Sequence, residues 1–205
     1  MYKDPIITIA RQYGSGGREI ALKVAEILGI KAYGRELIEM AAEKSGYHPE
    51  MLKGVDERAA GSLLYSLVTG STVPGSLAGH YDIPINDKLF IVQNEIIKEL
   101  AQNEQCVIIG RCGDYALRDF PNKITIFIHA DMNSRVERIM NIKGLSKSEA
   151  ESLIVKEDKR RANYYNFYTG KKWGAIEQYT LTLNSSVIGV DESAKIISDI
   201  ARDFS

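Results

Sequence analysis

Apolar and polar positions along the chain form two alternating patterns. Short runs of continuous apolar, β-branched residues are typical of strands buried on both faces of a parallel sheet. Longer stretches in which apolar residues recur every three or four positions predict amphipathic helices. The predicted strands lie at residues 6–10, 31–33, 106–109, 124–128 and 180–183, and the predicted helices at about 20–28, 35–44, 88–102, 131–143 and 192–202. Strands that alternate with helices predict an α/β fold with a mainly parallel sheet.

Three further stretches add to this pattern. Residues from His48 to about Thr69 predict one or two more helices. Residues from Gly70 to Asp87 predict a long loop, because they include three glycines and two prolines. Ser146 followed by Glu149 matches a capping box, which predicts the start of another helix.

Length and composition narrow the class of protein. A chain of 205 residues with 44% hydrophobic and 26% charged residues is typical of one globular domain, which excludes disordered and fibrous architectures. No apolar run is long enough for a membrane span. Cys106 and Cys112 form no metal-binding pattern with the three histidines. We therefore expect a soluble cytoplasmic protein without a membrane partner.

The net charge of -1 conceals an uneven distribution. Twenty-six basic residues balance twenty-seven acidic ones, so no overall excess favours a large nucleic-acid surface. Residues 156–172 nevertheless contain six basic and two acidic residues, a local charge of +4. This segment favours a focused site for a few phosphate groups, although a solvated helix face would have the same pattern.

Four residues, Gly14, Ser15, Gly16 and Gly17, lie between the first predicted strand and the first predicted helix. Glycines let backbone N–H groups converge on an anion, and the helix N-terminus adds the positive end of its dipole. Glycines also make tight structural turns, so the loop alone leaves both interpretations open. Its position at the first strand-to-helix turn of an α/β chain favours phosphate binding.

Five colinear segments identify a family. The chain resembles the cytidylate kinase-like family, relatives of the bacterial cytidylate kinases among the P-loop nucleoside monophosphate kinases. The segments that carry the resemblance are Ile7–Ile20 (ITIARQYGSGGREI), Tyr33–Ile38 (YGRELI), Ile108–Arg111 (IIGR), Asp158–Arg161 (DKRR) and Trp173–Gly174. They span nearly the whole chain.

The resemblance implies a P-loop NTPase-type three-layer fold with a five-stranded parallel sheet. The chain would form one domain, with a core at residues 1–33 and 88–205, a helical acceptor-binding insertion at about 34–87 and a lid at about 155–173. The reaction implied is transfer of the ATP γ-phosphoryl group to a nucleoside monophosphate, CMP or dCMP in type, or to another small acceptor, with Mg²⁺. Homo-oligomer formation is left open.

The resemblance and the chemistry of arginine together suggest roles for individual residues. The glycine loop would cradle the donor phosphates through the N–H groups of Gly14, Ser15, Gly16 and Gly17, with Arg11 and Arg18 adding positive charge. Arg111 and the weaker candidate Arg35 would bind the acceptor. Arg18, Arg160 and Arg161 are the predicted catalytic residues, because guanidinium groups can neutralise the charge that develops during phosphoryl transfer.

The sequence departs from the standard P-loop pattern G-x-x-x-x-G-K-[ST]. Arg11 stands at the first glycine of the pattern, Gly17 at the lysine and Arg18 at the Ser/Thr that binds Mg²⁺. Ile109 occupies a position where related kinases usually have Asp. Asp114 is the nearest carboxylate, and it could equally cap a helix. No protein metal ligand is predicted.

These departures support an alternative function, a nucleotide- or phosphate-binding P-loop protein with degraded catalysis. A third interpretation is nucleic-acid binding through the basic, tyrosine-rich segment, which the near-neutral total charge argues against. The aromatic residues from Tyr164 to Tyr168 could stack on a base or pack against the core, and their spacing does not separate these alternatives.

Overall fold

The computed structural model describes residues 5–45 and 85–204. The strands are β1 (Ile6–Arg11), β2 (Lys31–Tyr33), β3 (Cys106–Ile109), β4 (Lys123–His129) and β5 (Leu181–Asn184). The α-helices are α1 (Gly17–Leu28), α2 (Glu36–Ser45), α3 (Ile85–Asn103), α4 (Gly113–Ala116), α5 (Met132–Lys143), α6 (Lys147–Thr169), α7 (Ser185–Ile188) and α8 (Val190–Asp203), with a 3-10 turn at Ile176–Gln178. The helices predicted at 48–69 and the predicted loop as far as residue 84 lie outside the described residues.

The five strands form one sheet, and every pair of neighbouring strands is parallel. Their order is β2-β3-β1-β4-β5, so β1 lies at the centre. Ile9 of β1 lies opposite Ile109 of β3 and Ile126 of β4. The carboxyl ends of these three strands therefore meet at one edge of the sheet. The predicted five-stranded parallel α/β fold is confirmed.

Helices cover both faces of the sheet. On one face, α1 and α8 bury apolar side chains against the central strands, and this cluster includes Ile7, Ile9 and Val24. On the other face, α2 and α3 pack against the sheet in a cluster that includes Ile6, Leu37, Ile97 and Ile108. Because successive strand residues point to opposite faces, strands covered on both sides need continuous apolar runs.

Two element boundaries differ from those predicted. Helix α3 begins at Ile85, three residues earlier than expected, so Asp87 belongs to its first turn and not to a loop. Residues 155–169 of the predicted lid form the C-terminal part of α6, a continuous helix of 23 residues. The predicted capping box at Ser146 and Glu149 is confirmed, and α6 ends at Gly170, whose φ of 68° is in the left-handed region.

No helix within residues 5–45 and 85–204 is both long enough and apolar enough to cross a membrane.

Gly113, the first residue of α4, packs closely against Ile108 of β3, and this contact can be tested by substitution. A methyl group added to Gly113 would lie 2.7 Å from Ile108 Cγ2. Because side chains in a packed interior have little room to move, we expect Gly113→Ala to lower the free energy of unfolding by about 1–3 kcal/mol. Denaturation with urea would measure the change. Gly34→Ala is the matched control, since its added methyl would have no neighbour closer than 3.5 Å. Equal stability of the two variants would contradict the packing.

Candidate functional site

The glycine loop joins the carboxyl end of β1 to the first residue of α1. Gly14 and Gly16 have φ angles of 79° and 76°, which residues with a side chain rarely adopt. The Ser15 hydroxyl donates to the Gln12 carbonyl oxygen at 2.9 Å and accepts from the Gly17 N–H at 3.3 Å. Ser185 fixes the loop from below by donating to the Ser15 carbonyl oxygen at 2.6 Å.

This geometry makes the N-terminus of α1 a suitable anion site. The first N–H groups of a helix have no acceptor within the helix, and the helix dipole adds partial positive charge at the same place. Arg18 lies in the first turn of α1 and is exposed, whereas Gly17 is buried. The structure thus places the predicted loop residues around one helix end at the carboxyl edge of the sheet.

Three arginines predicted as site residues line one pocket beside this loop. Arg11 ends β1, Arg111 follows β3, and Arg161 projects from α6. Arg161 Nη1 donates to the Arg11 carbonyl oxygen at 3.0 Å, and the Arg161 guanidinium carbon lies 5.3 Å from the centroid of the Tyr13 ring. Arginines from three separate elements therefore converge at the carboxyl edge of the sheet.

The backbone that carries Arg111 is unusual. Gly110, Arg111 and Cys112 have φ angles of 73°, 57° and 52°, three consecutive residues in the left-handed region. For a residue with a side chain this conformation costs roughly 1–2 kcal/mol. Arg111 is also buried, at 6% exposure. Such strain persists only where the surrounding structure holds it, and it is concentrated at functional sites.

Glu36 adds a negative charge near Arg18 and Arg111. Its carboxylate accepts from the Gly34 N–H at 2.8 Å. The pKa of Glu36 is lowered, chiefly by a hydrogen bond from its own backbone N–H, with smaller contributions from Gly34 and from the charges of Arg18 and Arg111. Arg35 precedes Glu36 and is exposed, and it does not line the three-arginine pocket within the described part of the chain.

A buried ion pair fastens α6 to the glycine loop. The Asp158 carboxylate accepts from the Tyr13 N–H at 2.7 Å and from Arg135 Nη1 at 2.5 Å. Arg135 Nη1 also lies 3.4 Å from the Tyr13 carbonyl oxygen. The side chains of Arg135 and Asp158 are only 8% and 18% exposed. Both backbone polar groups of Tyr13 are thereby held by one charged pair.

The ion pair between Arg135 and Asp158 was not predicted from the sequence. Asp158 lies within a segment that carries the family resemblance, but its contact with the glycine loop spans 145 residues. Arg135 shares the buried face of α5 with Val136 and Ile139. One signal was available in the sequence: Arg135 is a cation at a position where helical spacing predicts an apolar residue. Because buried charges are normally paired, this position indicates a buried partner of opposite charge.

The two predicted lid arginines have different surroundings. Arg161 reaches the glycine loop through the Arg11 carbonyl oxygen, as described above. Arg160 Nη2 donates to Glu157 Oε2 at 2.6 Å, a pairing along the same helix. The structure thus brings Arg161 into the pocket with Arg11 and Arg111, while Arg160 lies next to it on α6.

The tyrosines of α6 pack against the protein itself. Tyr164 and Tyr165 are buried, and the ring of Tyr168 stacks on Phe90 of α3 with 4.1 Å between centroids. The Tyr168 hydroxyl donates to the Asp87 carboxylate at 2.7 Å. Of the two alternatives that the sequence left open, packing against the core is therefore what the structure shows for these three tyrosines.

Asp114 also lines the three-arginine pocket and accepts a hydrogen bond of 2.6 Å from the Tyr165 hydroxyl. Burial raises the pKa of this carboxyl group, and the hydrogen bond from Tyr165 and nearby backbone N–H groups oppose the rise. The N-cap of α4 is Cys112, so Asp114 is not the capping residue that the alternative interpretation proposed.

The residues of the site suit an anion better than a metal ion. Within residues 5–45 and 85–204, no group of three or more His, Cys, Asp or Glu side chains could hold a metal. Arg18 occupies the position of the usual Mg²⁺-binding hydroxyl, and a guanidinium cannot coordinate a cation.

The two cysteines are poor nucleophiles. Cys112 is buried, and burial raises the pKa of Cys106 to about 12.

The chain is similar to known proteins over nearly its whole length. Residues 6–187 match the family model described as the cytidylate kinase-like family. A comparison with curated proteins found no match. An uncharacterized protein from Eubacterium ventriosum ATCC 27560, known from a crystal structure, is 27% identical, with a TM-score of 0.72 over 97% of this chain and 98% of that one.

More distant structures share the fold. The shikimate kinase from Bacteroides thetaiotaomicron is 13% identical, with a TM-score of 0.55 over 97% of this chain and 98% of that one. The shikimate kinase from Acinetobacter baumannii, solved in complex with shikimate, is also 13% identical, with a TM-score of 0.52 over 98% and 95% of the two chains. These likenesses show that the chain shares the parallel α/β fold of the two structures.

The pair that holds the glycine loop can be tested by removing its negative charge. Asp158→Asn leaves the buried Arg135 guanidinium without its counter-charge, so we expect the free energy of unfolding to fall by about 3 kcal/mol. Chemical denaturation would measure it. The control is Asp199→Asn, which breaks an exposed pair with Arg202 and should change stability by no more than about 0.5 kcal/mol. Similar losses in both variants would contradict a special role for Asp158.

Asp114 predicts a dependence of stability on pH. Because its pKa is raised in the folded state, the folded protein binds the proton more tightly than the unfolded chain does. Its contribution to stability is therefore present at acid pH and is lost as pH rises through the folded pKa. Asp114→Asn removes this loss while keeping an acceptor for the Tyr165 hydroxyl. The unfolding free energy of the wild type should fall relative to that of the variant as pH rises from about 4.

Urea denaturation at a series of pH values would measure both profiles. Tyr165→Phe serves as a companion variant, because it removes a hydrogen bond that lowers the pKa of Asp114. The relative fall should then extend to higher pH. Parallel profiles for the wild type and Asp114→Asn would show that the carboxyl group is not perturbed by burial.

Proposed function

We propose that this chain, which belongs to the cytidylate kinase-like family, transfers the γ-phosphoryl group of ATP to a nucleoside monophosphate of the CMP or dCMP type or to another small acceptor. The observation that carries the proposal is the convergence of Arg11, Arg111 and Arg161 beside a glycine loop at a helix N-terminus. Phosphoryl transfer needs little covalent chemistry from the protein, and it depends on positioning and on neutralising negative charge.

The donor would bind at the glycine loop. Backbone N–H groups of Gly14, Ser15, Gly16 and Gly17 and the N-terminus of α1 would hold its β- and γ-phosphates. The Ser15 and Gly17 N–H groups lie 3.4 Å and 3.3 Å from their acceptors within the loop, long enough that small rotations would turn them toward a phosphate. Arg18, exposed on the first turn, would add charge at the rim of the site.

The acceptor would bind at the end of β3. Arg111 is buried and fixed by its strained backbone, which suits it to hold an acceptor phosphate in one position. The negative charge of Glu36 interacts with the charges of Arg111 and Arg18, so it would balance part of their positive charge at the site. Arg35, at the surface beside Glu36, is the weaker acceptor-side candidate.

In the reaction, an acceptor oxygen forms a bond to the γ-phosphorus while the bond from that phosphorus to the β–γ bridging oxygen breaks. The products are ADP and the phosphorylated acceptor. Arg161, which contacts the glycine loop and lines the pocket, would stabilise the charge on the transferred group, and Arg160 would assist from the same helix. Mg²⁺ bound to the nucleotide supplies further charge neutralisation, and no ligand from the chain is assigned to it.

A second function is favoured by one observation, the replacement of the P-loop lysine and hydroxyl by Gly17 and Arg18. A protein with the same nucleotide pocket and degraded catalysis would bind ATP or another phosphate ligand as a regulatory or scaffolding module. The geometry of the glycine loop is equally suited to this role. Turnover separates the two functions.

The kinase proposal predicts acceptor-dependent release of ADP. The protein would be incubated with Mg-ATP and, separately, CMP, dCMP, UMP, AMP and GMP, and ADP formation would be followed. Turnover above the acceptor-free rate is expected for at least one cytidine nucleotide. ATP binding without acceptor-dependent turnover would support the degraded-catalysis alternative and exclude kinase activity toward these acceptors.

The lid arginine gives a sharper test of the mechanism. Arg161→Ala removes the group placed on the transferred phosphoryl, so we expect kcat to fall about 10²- to 10³-fold. The variant also loses the hydrogen bond to the Arg11 carbonyl oxygen, so we expect a modest fall in the melting temperature. Arg202→Ala, an exposed arginine on α8, is the matched control and should leave kcat unchanged. An unaltered kcat in Arg161→Ala would remove this residue from the mechanism.

A further inference from the structure

The side chains at positions 11 and 17 compete for the same space. A methyl group added to Gly17 would lie 2.5 Å from Arg11 Cβ and 3.0 Å from Arg11 Cγ. It would also lie 3.2 Å from Ile128 Cβ on β4. Contacts below about 3 Å between carbon atoms are strongly repulsive. Position 17 therefore cannot carry any side chain while the Arg11 side chain keeps its present conformation.

The pleat of β1 explains why these two residues meet. Ile7, Ile9 and Arg11 alternate with the residues that face α3, so they point toward α1. Ile7 and Ile9 pack against α1 within the core, and Arg11 comes next, below the first residue of that helix. The stem of Arg11 thus emerges where the side chain of residue 17 would begin.

The two positions are also those at which the P-loop pattern is broken. The pattern requires glycine where this chain has Arg11, and lysine where it has Gly17. Relative to the pattern, the chain has one cationic side chain fewer at the helix and one more at the strand. Because side chains at positions 11 and 17 exclude each other, the two departures are sterically linked.

We propose that Arg11 supplies, from the end of β1, the cation that a lysine at position 17 supplies in a standard P-loop. This inference rests on the proposed function, because it assigns the donor-phosphate cation of that same site. The guanidinium brings a planar fork that can contact two phosphate oxygens at once, which a lysine ammonium cannot do. The Arg11 backbone is fixed as well, since its carbonyl oxygen accepts from Arg161.

In this arrangement the cation of the glycine loop comes from the end of β1 and not from α1. The Arg161 guanidinium donates to the Arg11 backbone carbonyl oxygen, so the residue that ends β1 is linked directly to α6. Arg11 is therefore a binding residue for the phosphates and a link between the glycine loop and α6.

A double-mutant cycle tests this arrangement. The four proteins are the wild type, Arg11→Gly, Gly17→Lys and the double variant Arg11→Gly/Gly17→Lys. The melting temperature of each protein tests whether side chains at positions 11 and 17 exclude each other. The Kd for tripolyphosphate, measured by calorimetry, tests whether the cation binds phosphate. Neither readout requires turnover, so failure of the kinase proposal would leave this test readable.

The expected results follow from the geometry. Gly17→Lys should strongly lower the melting temperature in the wild type but have little effect in the Arg11→Gly background. Arg11→Gly should weaken tripolyphosphate binding by about tenfold or more, and the double variant should recover most of that loss. A protein that fails to fold as Gly17→Lys still leaves the comparison between Arg11→Gly and the double variant.

Arg11→Met separates the stem from the charge. It keeps the Cβ and Cγ atoms that fill position 17, so Gly17→Lys should remain destabilising in this background, while tripolyphosphate binding should be as weak as in Arg11→Gly. The inference is overturned if Gly17→Lys is tolerated equally in all backgrounds. It is also overturned if the double variant binds no better than Arg11→Gly, or if Arg11→Met binds as well as the wild type.

Discussion

The Asp158 carboxylate is the contact on which the geometry of the site depends. It accepts from the Tyr13 N–H and from the buried Arg135 guanidinium, so a single residue joins the glycine loop, α5 and α6. A buried charge without a partner is costly, which makes any other course of the loop unfavourable. With Asp158 in place, Arg161 lies three residues further along the same helix, close to one helical turn, and reaches the Arg11 carbonyl oxygen.

The site combines strained backbone with dense packing beneath it. Arg111 and Cys112 hold left-handed conformations, and Gly113 lies directly over Ile108 of β3. Packing of this density resists relaxation, so the strain is retained and Arg111 is held in one position. The chain belongs to the cytidylate kinase-like family, and Arg11, Arg111 and Arg161 meet at the edge of its sheet where the pattern would place a lysine and a hydroxyl on the helix.

Much of the fold follows from local patterns. The strands were predictable because continuous apolar runs such as Cys106–Ile109 have few other uses in an α/β chain. The glycine loop was predictable as well, because the residues that form it are adjacent in the sequence. The earlier start of α3 was not, because Asp87 has the polarity of a loop residue and its partner Tyr168 lies 81 residues away. The pairs Arg135–Asp158 and Asp114–Tyr165 were missed because each depends on tertiary contacts.

The stack of Tyr168 on Phe90 has a mechanical consequence. Phe90 lies in the first two turns of α3, and Tyr168 lies in the last turn of α6. Because α6 is one unbroken helix, it acts as a stiff rod with the Asp158 clamp near its middle and the aromatic stack at its far end. A tilt of that rod about the clamp would therefore be transmitted through the stacked rings to the first turns of α3.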